Sequence, residues 1–410
     1  FMEKSMWQKY ANLIVKVGLN LQQGQILVIN SPLECAEFTR IVAETAYKEG
    51  AGDVVVSWND DLFARIRFLH APDSVFDKFP PWRKEFYMYY LKQGAAFFSI
   101  NAEDPEIMKD VNPVRLAKQL KANNTALKEY REQLMADKNV WSLASVPIPA
   151  WAQKVFPDLP TEQAMEKLAE AILKAVRVNE EDPIAAWEEH KQNLKGRVEF
   201  LNNKRFKILH FKNSLGTDLK VELPEDHIWS GGSSFTPEGI EFIANMPTEE
   251  VYTLPKKTGV NGRVVSSMPL NYNGNLIEQF SLTFEDGKVT EYSAEKGLET
   301  LKTLLETDEG SRYLGEVALV PYNSPISQSK ILFYNTLFDE NASCHLALGK
   351  AYPTSIRNGE KLSAEELKKL GVNDSLVHED FMIGTEDMEI IGRTFDGEEI
   401  AIFKQGNFAF

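Results

Sequence analysis

Four short apolar runs, each followed by a stretch with helical periodicity, constrain the first half of the chain more than any other feature. The runs are QILVINSP (25–32), GDVVVSWND (52–60), GAAFFSINAEDPE (94–106) and NVWSLASVPIP (139–149). β-Branched and aromatic residues concentrate in them, and Gly, Pro, Asn or Asp close them, as expected of strands. Between them lie amphipathic stretches such as ECAEFTRIVAETAYKEGAG (34–52) and PVRLAKQLKANNTALKEYREQLMADK (113–138). Strands alternating with helices predict parallel β-α-β units in a doubly wound sheet. No G-x-G-x-x-G follows the first strand, so the dinucleotide fingerprint is absent.

A further helical pattern runs from Thr161 to about Lys204, broken by EEDP at 180–183. Beyond it strand and hairpin signals dominate. FKILHFKNSLGTDLKVEL (206–223) reads as two strands around a Gly turn, and Asp396-Gly397 between apolar runs predicts a type I′ hairpin. EKGLETLKTLLETDEG (295–310) is the one clear helix of this half. The expectation is an α/β domain over residues 2–200 and a mixed α+β domain over 201–410, with no internal repeat.

Composition narrows the function. The chain of 410 residues carries 60 acidic and 45 basic side chains, a formal charge of −15. That field repels phosphate backbones and argues against nucleic acid, while it suits cationic ligands, including divalent metals and free amino groups. No apolar run reaches the ~20 residues of a membrane span, and the N-terminal stretch has no signal-peptide pattern. Cys35 and Cys344 are the only cysteines, so neither a disulfide framework nor a C-x-x-C site is expected. A reducing cytoplasm is the expected compartment.

The residues that could carry chemistry lie in the second half. In SLVHEDFMIG (375–384), His378 and Asp380 stand at i and i+2 of a strand-like segment and so share a face. In FDENASCHLALGKAY (338–352), Glu340, His345 and Tyr352 sit among Ala and Leu. If residues 341–348 are helical, Asn341 starts that helix, Gly349 ends it, and Glu340 complements its dipole. NMPTEEVYTLP (245–255) supplies Glu249 and Glu250, and RYLGEVALVP (312–321) leads Glu316 straight into an apolar strand. A carboxylate there needs a partner, since an unpaired buried charge is costly. Singly, each acid reads as a salt-bridge member. Together, several carboxylates and two imidazoles fit a two-metal site with one carboxylate shared. The remaining histidines read as solvated (His190), capping (His70) or structural (His210, His227).

The segments NMPTEEVYT, YLGEVALVP, FDENASCHLALGKAY and HEDFMIG, in that order, resemble the thermophilic metalloprotease family of aminopeptidases. The resemblance runs from Met2 onward. It implies a two-domain homodimer whose C-terminal domain holds two divalent ions and releases N-terminal residues from peptides. By matching motif it implies Glu250, Glu316, His345, His378 and Asp380 as metal ligands. Glu340 matches a ligand or the general base, and Tyr352 a tyrosine at the same centre; Glu249 competes with Glu250. Zinc or cobalt is expected, with manganese or magnesium as alternatives. The expected mechanism has Glu316 bridging the ions, Glu340 moving the proton and Tyr352 donating to the oxyanion. Another two-metal hydrolase, such as a phosphoesterase, and a non-catalytic metal- or peptide-binding scaffold are the competing readings. Few basic residues in the site segments weigh against an anionic substrate, and the near-absence of Cys weighs against a closed structural zinc site.

Overall fold

The computed structural model describes residues 3–410. The chain forms two compact units. One comprises the residues up to Gln192 together with Gly232–Thr248, and the other Asn193–Gly231 with Glu249–Phe410. The division falls inside a single helix, Pro183–Lys204, where no Gly- or Pro-rich linker marks it. A single cut near residue 200 does not include the later return of Gly232–Thr248 to the first unit.

The first unit is built on four strands, β1 (Ile26–Pro32), β2 (Asp53–Asn59), β3 (Ala96–Ile100) and β4 (Trp141–Ala144). They are parallel and ordered β2-β1-β3-β4. This is the expected doubly wound arrangement, reversing direction at β1. Leu27, Val28 and Ile29 of β1 and Phe97 and Phe98 of β3 are buried, because helices cover both faces of such a sheet. The helical patterns become Ala36–Lys48, the pair Pro113–Ala126 and Lys128–Met135, and Thr161–Ala175.

His190 departs from expectation. It is buried, its Nε2 lies 2.6 Å from the Thr248 carbonyl, and its ring meets Trp187 edge-on. It is a core histidine, not a solvated one.

The second unit holds two antiparallel sheets. The larger has nine strands and includes the hairpin Phe206–Lys212/Asp218–Glu222 and the C-terminal hairpin Glu389–Thr394/Glu399–Lys404. The C-terminal turn is not type I′, which requires positive φ at both central residues. Only Gly397 has positive φ (91°). Gly397 N–H donates to Thr394 O at 3.0 Å and Thr394 N–H to Glu398 O at 2.9 Å, the pattern of a three-residue turn with Gly in the left-handed position.

The smaller sheet carries the candidate site residues. Its strands are β5 (Ser230–Gly231), β6 (Val251–Thr253), β7 (Leu314–Leu319), β8 (His345–Gly349) and β9 (His378–Met382), in the order β9-β8-β7-β6-β5. Every residue of β7 and β8 is buried. The expected helix over 341–348 is therefore a short 3-10 turn, Glu340–Ala342, followed by a strand. Ala and Leu favour a helix intrinsically, but hydrogen bonding to both β7 and β9 decides otherwise. Gly349 ends a strand, not a helix, with φ +104°; a Cβ there would meet the Val377 carbonyl oxygen at 2.1 Å.

A candidate metal centre on one face of the small sheet

Strand register brings the acids and imidazoles together. Ala318 of β7 faces Tyr252 of β6 and His345 of β8. Two residues away on the same strands, Glu316 faces Ala347, which in turn faces Asp380 of β9. Side chains two apart share a face, so Glu316, His345, Asp380 and His378 project from one side. Glu250, two residues before Tyr252, joins them. Glu340 enters from the turn that precedes β8. The small side chains of Ala318 and Ala347 form the floor between the polar groups.

Three overlapping His/carboxylate groups result: Glu250-Glu316-His345, Glu316-His378-Asp380 and Glu340-His345-Asp380. In each, one ligand atom per residue lies within 4.8 Å of the others. All six residues expected as ligands are thus brought together, and Glu316, His345 and Asp380 each belong to two groups. Glu250, Glu316, Glu340 and His345 are at most 7% exposed.

The imidazoles are held from behind. Nδ1 of His345 lies 3.0 Å from the Ser343 carbonyl, and Nδ1 of His378 lies 2.6 Å from the Lys350 carbonyl. A ring nitrogen facing a carbonyl must carry a proton, so in the neutral ring that a metal requires each Nε2 presents its lone pair to the cluster; without a metal, Glu250 and Asp380 favour the protonated ring at His345. His345 Nε2 comes within 2.7 Å of Glu250 Oε2 and 3.9 Å of Glu316 Oε2; His378 Nε2 is 3.9 Å from Glu316 Oε2 and 3.6 Å from Asp380 Oδ1. The 2.7 Å approach lacks hydrogen-bond alignment. Glu250 Oε2, His345 Nε2 and Asp380 Oδ1 are buried atoms without a hydrogen-bond partner. Buried polar atoms are rarely left so. Orphaned lone pairs converging from carboxylates and imidazoles fit a divalent cation of the zinc, cobalt or manganese kind.

The electrostatics agree. Burial pushes the Glu316 carboxyl well above the carboxylate range, and the neighbouring Asp380, Glu250 and Glu340 push it further. Glu340 is raised by the same causes, burial first, then Asp380 and Glu250. Burial also acts to raise Asp380, but His378 and His345 outweigh it and hold that carboxyl below its usual range. Burial opposes the His345 imidazolium, yet Glu250 and Asp380 outweigh it and raise its pKa to about 9. Clustered carboxylates in a buried site are costly unless positive charge neutralises them.

Tyr352 belongs to the same place. Its ring centroid is 4.8 Å from that of His378 and 6.0 Å from that of Tyr252. Burial, then Glu316 and Asp380, raise its pKa well above the usual phenol value, so the hydroxyl keeps its proton and can donate. Glu249 does not join the candidate metal-binding groups. It lies close enough to the half-buried Arg197 to stabilise that guanidinium, and its backbone N–H donates to Asn341 Oδ1 at 2.7 Å. Asn341 is thus a buried tie between two segments, not a helix start, and Glu340 follows the short helix Thr336–Asp339 where a helix-starting acid was expected. Tyr252 was missed by sequence reasoning; its spacing of two from Glu250 on a strand was the available signal.

A model of the thermophilic metalloprotease (M29) family matches residues 3–408. Aminopeptidase 2 of Geobacillus stearothermophilus is 55% identical over 98% of this chain and 97% of its own length. Aminopeptidase AmpS of Bacillus subtilis (strain 168) is 49% identical, covering 98% of both chains. The structure of wild-type AmpT from Thermus thermophilus matches with a TM-score of 0.90 at 41% identity, over 99% of this chain and 100% of that one. A 2,5-dihydroxypyridine dioxygenase from Pseudomonas putida KT2440, at 12% identity and a TM-score of 0.54, shares the fold alone. With the family pattern spanning the described chain and its His and carboxylate residues gathered on one sheet face, the chain belongs to the thermophilic metalloprotease (M29) family, which makes it a metal-dependent peptide hydrolase.

Proposed function

We propose that the protein is an aminopeptidase that releases the N-terminal residue of peptides at a centre holding two divalent cations. The observation that carries this reading is the overlap of the His/carboxylate groups, with Glu316 common to Glu250-His345 on one side and His378-Asp380 on the other. A shared carboxylate is what lets two cations sit close together. The names of the relatives support the exopeptidase assignment.

When bound, a zinc or cobalt pair would supply an acidified water and a polarised scissile carbonyl. The remaining steps fall to the chain's own residues. Glu250, Glu316, His345, His378 and Asp380 would hold the pair, and the carbonyls behind the two imidazoles fix the tautomers of the neutral rings. Glu340 takes the proton of the attacking water and passes it to the leaving amine. Tyr352 donates to the carbonyl oxygen as negative charge develops there. The cluster's excess of carboxylates suits a substrate that presents a free α-amino group. The family resemblance further implies a homodimer, and the two thiols, both free and buried, are compatible with the reducing cytoplasm expected from the cysteine count.

The test combines metal analysis with peptide hydrolysis before and after chelation. Two metal equivalents, activity lost with chelator and restored by zinc or cobalt, and resistance of N-acetylated peptides are expected. Efficient cleavage of internal bonds in N-blocked peptides would make the protein an endopeptidase.

A further inference from the structure

We infer that Asn373 is a positioning residue for the metal centre, acting through the Lys350 peptide on His378. Asn373 is 1% exposed. Its side-chain Nδ2 donates to the Gly349 carbonyl at 2.7 Å and to the Gly310 carbonyl at 2.8 Å. Its own backbone carbonyl accepts from Ala351 N–H at 3.1 Å. Asn373 therefore grips the chain on both sides of Lys350. Between these two contacts, Lys350 N–H donates to Val377 O at 2.7 Å. The Lys350 carbonyl is left facing inward, and it is the acceptor that His378 Nδ1 meets at 2.6 Å.

The strap of residues 349–352 thus carries two functional groups: the carbonyl that orients His378, and Tyr352. One buried amide sets the place of both. Second-row contacts of this kind fix ring orientation and ligand basicity, and their removal typically costs about 10–100-fold in metal affinity or activity. The effect should be one-sided. His345 is oriented by Ser343 on another segment, so the Glu250-His345 side of the centre does not depend on Asn373.

This inference rests on the two-cation reading above. The experiment is a cobalt(II) titration of the full-length, metal-stripped protein, followed by calorimetry and the cobalt visible spectrum, with kcat and KM measured alongside. Asn373→Ala removes the donor, and Asn373→Leu removes it while keeping the volume. Val264→Ala, in the core of the nine-stranded sheet, serves as a control for loss of stability. Both Asn373 variants should show two binding steps with only one weakened, by about 10–100-fold, a changed cobalt spectrum and a matching fall in kcat. Val264→Ala should keep both steps at wild-type affinity. Wild-type-like steps in Asn373→Ala, equal weakening of both steps, or the same one-sided loss in Val264→Ala would overturn the inference while leaving the two-cation reading intact. A single step in the wild-type protein would bring down the two-cation reading and this inference with it.

Discussion

Glu316→Gln separates the cost of the acid cluster from its use. Glu316 is 4% exposed, and ligand atoms of Glu316 and Asp380 lie no more than 4.8 Å apart. At that separation and an effective dielectric of about 20, two carboxylates repel by about 3.5 kcal/mol. Burial, then Asp380, Glu250 and Glu340, raise the Glu316 pKa well above 4.5. In metal-free protein the folded state therefore binds this proton more tightly than the unfolded chain. The resulting stabilisation is fully present below the unfolded pKa and is lost as pH rises through the folded one, at up to about 1.4 kcal/mol per pH unit. Gln has no such proton to lose. In chelator, the variant should match wild type near pH 5 and exceed it by about 1–3 kcal/mol towards pH 8, roughly 1 °C in Tm per kcal/mol for a chain of 410 residues. Saturating zinc or cobalt should reverse the order, because a ligand at about 1,000 times its Kd adds about 4 kcal/mol to whichever protein still binds it. Turnover should fall by about 10³-fold or more, from loss of the shared charge. Thermal unfolding across pH 5–8, with and without chelator, reads both effects. A chelated Gln variant less stable than wild type at pH 8, or one with two metals and normal turnover, would refute the reasoning.

Three further outcomes are expected. Tyr352→Phe keeps the ring against His378 and should lower kcat by about 10²–10³-fold at unchanged metal content and KM, as loss of one oxyanion donor does; loss of metal would instead make Tyr352 a ligand. Glu250→Gln should lose metal measured by elemental analysis, whereas Glu249→Gln should retain it and alter only the surroundings of Arg197; the opposite pattern would exchange their roles. Gly315→Ala should destabilise by about 1–3 kcal/mol in chemical denaturation, because a Cβ there would meet Gly349 O at 2.4 Å and Lys350 O at 2.5 Å, and should lower activity through the carbonyl that orients His378.

Much of the candidate site was legible because the side-chain alternation of a β-strand is local and periodic. His378 and Asp380 share a face by their spacing alone, and Glu316 betrayed itself by preceding an apolar run with no local partner. The parallel sheet was legible for the same reason, since each strand is a compact apolar run closed by turn residues. The misreadings share a different cause. HLALG has the composition of a helix but lies between β7 and β9, and only the partners reveal that. The hydrogen bond of His190 reaches Thr248, 58 residues away, so its polar helical surroundings said nothing of its burial. Asp396-Gly397 was read as the central pair of a two-residue turn, whereas the chain uses three residues and only the Gly in a left-handed conformation.

The residues that hold the centre in shape are less visible than those that would bind the metal. Asn373 donates to Gly310 and Gly349, which are 63 and 24 residues away, and nothing in its sequence neighbours Val372 and Asp374 announces that role. Gly315 looks like a strand-leading glycine; its purpose is the close passage of the Gly349-Lys350 backbone, where the β7–β8 register shifts. A carboxylate or imidazole advertises its chemistry through its cost of burial, so an acid in an apolar run stands out in one sequence. An amide or a glycine is common in loops and turns, so neither stands out in one sequence, and each acquires its role only from what the fold brings against it. Here the fold brings one peptide, Lys350, between Asn373, Val377, Gly315 and His378. A centre whose candidate ligands come from four different segments depends on such contacts for its spacing, because no short stretch of chain sets the distance between Glu250 and His378.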